Sequence, residues 1–448
     1  MAASFLRSVR RISYNYSIFL GKWTATGSGS YPRGAPHMNL STTSETVSSS
    51  PSKISKNSSP WLMLPPPPAS EGGVMSFKFY SLAENKVLTL TGSEEKELTS
   101  DLMPNRRFRF RGSSLGWLAL LNPHNLDLFL YNPISRRHIK LPPIRDLPNF
   151  PKHRQRDVTK VILSCSPDED NENCRAVIIY NCINSLAFCC PGHSEKWTPF
   201  GEMRMWWDGV GRRILSRGCR DCVYSTRQNV FFCLTNFGEL ESWDLQDPSS
   251  PRVLNIKIRE IGHFNFVGKH QCINLREMRP KELGRPVKHL VVADQDLLLV
   301  TQYIMEHVGP DGSYVDCLDV GSRKCPYRTV CFDVHKYDLV KGFLDHMMPN
   351  YSTLAGWVLF IGFHSHSVAL PAAQFPELNP DSIYFTDTVR TETLSNCDDD
   401  QPFGGHDIGI FDFEDKTVSS CYYPCDVGSL KRIMPPPMWF LPSLGSVD

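Results

Sequence analysis

Four groupings in this chain have the residue types and spacing that could support chemistry. Cys219-Arg220-Asp221-Cys222 is a CxxC pair with Cys233 eleven residues on. Thiols so spaced either ligate zinc or cycle between dithiol and disulfide. A structural zinc needs four ligands, usually as two such pairs, yet there is no second CxxC, and Cys421-x3-Cys425 would serve only if the fold brought distant segments together. A redox motif needs a helix N-terminus to lower the thiol pKa, whereas Tyr224 and the turn that follows predict a strand. His364-Ser365-His366 puts two imidazoles on one side of a strand, a pair able to hold a metal; without an acidic neighbour it reads as surface polarity. Asp398-Asp399-Asp400 lies in a stretch with no apolar pattern and reads as a solvated loop, with cation binding the minor option. Gly404-Gly405-His406-Asp407 has no Gly-x-Ser-x-Gly nucleophile beside it, and no phosphate-cradling glycine loop followed by Lys-Ser or Lys-Thr occurs anywhere.

A fifth grouping, Arg106-Arg107-Phe108-Arg109-Phe110-Arg111, interleaves cations with aromatics in a way that can stack bases. Alternation at period two suits an exposed strand better, with Phe108 and Phe110 inward and the arginines outward. No residue is therefore assigned to catalysis, a cofactor or a metal. Charged residues are 21% of the chain and the net charge is +1, so no global field marks a nucleic-acid binder. Fifteen cysteines, an odd number at irregular spacing, read as reduced thiols in apolar runs. No apolar stretch approaches the roughly 20 residues of a membrane span.

The elements that must carry these residues are strands. Beyond residue 60, short apolar or alternating runs recur between turn residues, with almost no sustained helical period. The runs expected as strands include Val158–Cys165, Ala176–Cys182, Ser185–Cys190, Asp221–Ser225, Val230–Thr235, Leu240–Leu245, His289–Val292 and Leu297–Tyr303. They continue with Thr329–Val334, Trp357–Phe363, Ser382–Thr386, Ile408–Phe413 and Val418–Tyr423, after an opening run Trp61–Leu64. Gly238 supplies the positive φ for a hairpin between Val230 and Leu245. Tyr131-Asn132-Pro133, Trp243-Asp244-Leu245, Phe332-Asp333-Val334 and Phe411-Asp412-Phe413 look alike as strand ends. About 390 residues of such pattern exceed an ordinary sandwich, and at ~40–50 residues per blade they fit a single all-β propeller of six to eight blades. Trp117, Trp243, Trp357 and Trp439 are expected in the packing between blades.

The first residues differ in kind. No acid precedes Glu45, while Arg7, Arg10, Arg11, Lys22 and Arg33 are present. Wound as a helix, Phe5, Val9, Ile12, Tyr16 and Phe19 share one face opposite the arginines. Residues 1–40 are expected to be a disordered organellar presequence, mitochondrial with chloroplast as the alternative, and not a secretory signal. The nine serines within 41–60 make 41–58 a linker.

Taken in order, Ser59-Pro60-Trp61-Leu62-Met63-Leu64-Pro65, the Gly112 to Pro143 block, Val223-Tyr224 through Trp243-Asp244-Leu245, Leu297 to Val300, Trp357 to Gly362, Ser382 to Asp387 and Pro436 to Leu444 resemble the plant KIB-type β-propeller family, often found behind an F-box. The resemblance covers 59–445 and implies a propeller for protein recognition, with no catalytic residues to carry over. No F-box stands ahead of the propeller here, so the chain resembles an organelle-targeted branch. The expected function is a non-enzymatic interaction module whose partners are the import machinery and an unidentified protein, bound through loops such as 304–328 and 388–406. The alternatives are a substrate-recognition subunit of an F-box type ubiquitin ligase and an enzyme with its site in the propeller channel.

Overall fold

In the computed structural model the described residues lie between 58 and 442, and 65–75, 92–107, 151–157, 208–211, 214–217, 258–284, 307–326, 347–352, 388–406, 422–436 and some shorter pieces fall outside them. The presequence over 1–40, nearly all of the linker and the acidic run at 398–400 are thus outside the described residues.

Among the described residues the strands assort into seven sheets, six of which are the blades of a propeller. Blade I joins Trp61–Leu64, Ser76–Ser81 and Lys86–Thr91 to Met438–Phe440 from the other end of the chain. Blade II is Arg109–Ser114, Trp117–Leu121, Leu128–Tyr131 and His138–Lys140. Blade III is Val158–Leu163, Ala176–Tyr180, Ser185–Cys189 and Thr198–Phe200. Blade IV is Cys219–Ser225, Val230–Thr235, Leu240–Asp244 and Arg252–Lys257. Blade V is Arg285–Ala293, Asp296–Glu306, Tyr327–Asp338 and Phe343–His346. Blade VI has five strands, in spatial order Val368–Pro371, Trp357–Ile361, Ser382–Phe385, Gly409–Asp412 and Thr417–Ser419. A short ribbon, Trp206–Trp207 with Arg212–Arg213, lies in sequence between blades III and IV.

Local chemistry sets the hairpins. Ser114 pairs with Trp117 across a two-residue loop in which Leu115 (φ 48) and Gly116 (φ 83) both lie in the left-handed region, the geometry whose twist matches the flanking strands. Asn132 Oδ1 accepts from the backbone N–H of Ile134 at 2.9 Å, Asp412 Oδ1 from Glu414 N at 2.9 Å and Asp244 Oδ1 from Gln246 N at 3.0 Å. These side chains end their strands by substituting for the ladder. Phe332-Asp333-Val334 breaks the likeness: it lies inside a long strand, where Asp333 accepts from the Tyr303 hydroxyl at 2.9 Å.

Burial explains why the sheets form a ring. Six apolar clusters each unite the facing sides of two neighbouring blades. Between I and II, for example, Phe77 stacks on Tyr131 with centroids 5.4 Å apart; between VI and I, Phe360 meets Trp439 edge-on at 5.0 Å. Each fully buried large apolar side chain contributes about 1.5–3 kcal/mol. Trp117, Trp243 and Trp439 lie in these layers as expected, whereas Trp357 is only half-buried at the margin of one.

Candidate functional site

The innermost strands of blades II, III and IV each break register near their start, between Phe110 and Gly112, Val158 and Lys160, and Cys219 and Asp221. A bulge inserts one unpaired residue and re-aims its neighbours. Arg111, expected outward by alternation, is thereby turned inward and left only 1% exposed, while Arg109 stays exposed and Phe110 is buried. Arg106 and Arg107 are outside the described residues. The inserted Thr159 donates from Oγ1 to the Ile179 carbonyl at 3.0 Å.

The residues after two of these bulges make a buried ion pair. Lys160 Nζ lies 2.6 Å from Asp221 Oδ1, with side chains 6% and 4% exposed. Asp221 Oδ1 also accepts from Cys222 N at 2.9 Å, and its Oδ2 accepts from Leu290 N at 2.8 Å. One carboxylate so fastens blades III, IV and V together. A second chain of bonds runs on from blade V: His289 Nε2 donates to Gln302 Oε1 (3.1 Å), Gln302 Nε2 to Thr329 Oγ1 (2.6 Å) and Thr329 Oγ1 to Asp407 Oδ2 (2.6 Å). Asp407 also accepts from Thr329 N, and its own N–H donates to Asp387 Oδ1 at 3.0 Å. Burial raises the Asp407 carboxyl to about 7, with Asp387 adding to the rise and Thr329 and Arg328 opposing it.

The histidine pair closes the ring's interior from the far side. Residues 364–367 lie between the paired strands Trp357–Ile361 and Val368–Pro371, and they reach the inner strand of blade II. Ser113 N donates to the His364 carbonyl at 3.1 Å and His366 N to the Ser113 carbonyl at 2.8 Å. Gly112 permits the approach: a Cβ there would stand 3.1 Å from Val161 backbone atoms and 3.3 Å from the His364 carbonyl oxygen. His364 is buried, and its Nδ1 donates to the Thr159 carbonyl at 2.9 Å. Ser114 Oγ accepts from Leu163 N at 3.1 Å and shares a hydrogen bond with His366 Nδ1 at 3.0 Å. The reading of this pair as surface polar is overturned for His364, which is buried inside the ring, while His366 is half-buried against Ser114. Burial lowers both His289 and His366 to about 4; at each, Lys160 pushes the same way and Asp221 opposes.

The CxxC cysteines do not form a pair of their own. Cys222 faces Cys233 across adjacent strands, Sγ to Sγ 3.4 Å, while Cys219 Sγ donates to the Asp221 carbonyl at 3.0 Å. Burial raises the Cys219 and Cys233 thiols, which disfavours the nucleophilic thiolate. Among the described residues, no group of three or more His, Cys, Asp or Glu side chains is arranged to hold a metal ion. Cys425 and residues 404–406 lie outside them, and Asp407 is the buried acceptor already described. A pocket of about 210 Å³ between blades III and IV is lined by Arg175, Tyr224, Phe231 and Gln246 among others. Arg175 donates there to the carbonyls of Leu245 (2.9 Å), Gln246 (2.6 Å), Glu172 (3.0 Å) and Cys174 (3.1 Å), so it works as an inter-blade clasp.

A family model described as KIB1-4 beta-propeller matches residues 79–412. No curated protein matches the chain. Among solved structures, the GH74 enzyme of Niastella koreensis aligns at 10% identity and a TM-score of 0.32, over 69% of this chain and 40% of that one. A putative 6-phosphogluconolactonase from Bacteroides uniformis aligns at 10% identity and 0.30, over 65% and 82%. The chain thus spans less than half the length of the GH74 enzyme.

Proposed function

Because the chain belongs to the KIB1-4 β-propeller family, we propose that it is a protein-interaction module, a rigid ring that displays its loops to a protein partner and catalyses no reaction. The observation that carries this reading is on the inner wall, where the side chains of Lys160, Asp221, His289, His364 and Asp407 bond to other side chains or to the backbone of neighbouring blades. Ser114 and His366 come nearest to a catalytic pair. A histidine that titrates near 4 is a weak base at neutral pH, however, and Ser114 Oγ already accepts from Leu163 N. The loops proposed to select the partner, within 304–328 and 388–406, lie mostly outside the described residues.

The address proposed is the mitochondrion, supported by the acid-free, arginine-bearing first 44 residues. The test is capture of the C-terminally tagged protein from plant cells, with mass spectrometry of its N-terminus and its partners. A chain beginning within about residues 20 to 60 and accompanied by organellar proteins supports the imported module. A full-length chain that co-purifies with a Skp-type adaptor and cullin overturns it in favour of the ligase subunit.

A further inference from the structure

We infer that the inner edge of blades IV and V, at the end of the ring where their innermost strands begin, is a binding site for an acidic peptide, built on Arg220 and Lys288.

The bulge in Cys219–Ser225 supplies the first half. Cys219 and Asp221 are buried on either side, but the register break falls at Arg220 and leaves it exposed. A bulge at the rim of a ring is a way to re-aim one side chain out of the ladder. The carboxylate next in sequence offers Arg220 no partner, since Asp221 points the other way and is committed to Lys160, Cys222 N and Leu290 N. The last of these bonds supplies the second half. It lays Arg285–Ala293 alongside the bulged strand, and Lys288, two residues before Leu290, shares Leu290's face toward blade IV. Arg285 opens the same strand.

Arg220 and Lys288 therefore stand on neighbouring strands at one seam. Arg220 is lowered by desolvation and then by Arg285, and Lys288 by desolvation and then by Arg220, so the like charges act on each other. Among the described residues no carboxylate forms an ion pair with Arg220 or Lys288. Like charges held together with part of their hydration removed are unfavourable until an anion arrives, and such an arrangement marks a site for one. Charge complementarity chooses the occupant. Two cations on neighbouring strands match carboxylates on an extended segment, whereas a nucleic acid needs a broad basic surface that a chain of net charge +1 does not supply.

This inference rests on the reading as a protein-binding module, and its test is separate from the capture experiment. A fluorescein-labelled peptide of six glutamates is titrated with the full chain at low ionic strength and followed by anisotropy. Saturable binding that weakens with added salt is expected. Arg220→Gln and Lys288→Gln should each weaken it about fivefold to tenfold, and together abolish it. Lys140→Gln, which removes an exposed amine paired with Asp127, should leave it unchanged. Melting curves of each variant separate lost binding from lost folding. Absence of saturable binding, or variants that bind like the unaltered chain, sinks the site. A single-stranded RNA that binds more tightly than the peptide and is lost in Arg220→Gln overturns the choice of ligand. If the peptide fails while capture returns organellar partners, only this site is lost; if the peptide binds and capture returns adaptor and cullin, only the imported module is.

Discussion

Replacing Asp221 by Ala removes one partner of a buried ion pair and two backbone acceptors together, so its cost follows from the geometry. Lys160 Nζ and Asp221 Oδ1 are 2.6 Å apart with both side chains almost fully buried, and stranding one charge of such a pair costs about 3–5 kcal/mol. The N–H groups of Cys222 and Leu290 lose their acceptor as well, at about 1–3 kcal/mol for each left unsatisfied. Asp221→Ala should thus be one of the most damaging single changes in the ring, at about 4 kcal/mol or more. Lys160→Met, which strands the carboxylate but leaves both N–H groups bonded to it, should cost about 3 kcal/mol. The double variant Lys160→Met/Asp221→Ala removes both charges and should cost less than the sum of the two by at least about 2 kcal/mol. Urea unfolding followed by tryptophan fluorescence measures all three. If the single changes cost under about 1 kcal/mol each, or the double variant is simply additive, the pair does not fasten blades III to V and the account of the inner wall is wrong.

Three further outcomes are expected. Trp243→Ala removes a ring that meets Phe200 edge-on at 5.1 Å and donates to Glu241 Oε2 at 3.0 Å; a loss of about 3–5 kcal/mol should appear as a sharply lower melting temperature, and an unchanged melt contradicts the packing assignment. Gly112→Ala places a methyl against backbone of both Val161 and His364, so it should cost about 1–3 kcal/mol, against near zero for Lys140→Ala on the surface; equal stabilities would show that residues 364–367 do not press there. Asp407 titrates at about 7 in the fold against about 3.9 unfolded, so the native state holds the extra proton and stability falls as pH rises through that window, by about 4 kcal/mol at most. His289 and His366, lowered to about 4, act in the opposite sense, their contribution growing as pH rises from about 4 to 6.5. Asp407→Asn should accordingly gain stability relative to the unaltered chain as pH rises from about 4 to about 7, and parallel pH profiles of unfolding for the two proteins would refute the raised carboxyl.

The strands that are buried on both faces were readable from residue pattern alone. Val230–Thr235 emerges with the expected bounds, and Val158, Ala176 and Ser185 open their strands where the apolar runs begin. Outer strands such as His138–Lys140 and Arg252–Lys257 were not, because solvent on one side removes the apolar alternation that marks a strand. Alternation misplaced Arg111 for a different reason: a bulge shifts the phase of every residue after it, and no residue type announces one. The inner wall was illegible in principle. Lys160 and Asp221 stand 61 positions apart, brought together by the packing of neighbouring blades, and Ser114 and His366 stand 252 apart, brought together by closure of the ring. Asp221 passed as filler inside a CxxC motif, although it makes more inter-blade bonds than either cysteine.

Blade I has a consequence for how the chain is made. Trp61, Leu62 and Met63 pair with Phe440, Trp439 and Met438, so the first strand among the described residues waits for the last of them to complete its sheet. While ribosomes produce the residues in between, a strand with four buried apolar side chains offers its open hydrogen-bonding edge to whatever is near. The nascent polypeptide is a horseshoe with sticky ends through most of its synthesis, a natural client for holding chaperones and a candidate for strand exchange between two copies. A nonsense mutation anywhere before residue 438 is then equivalent to leaving the circle unclasped, whichever blades it spares.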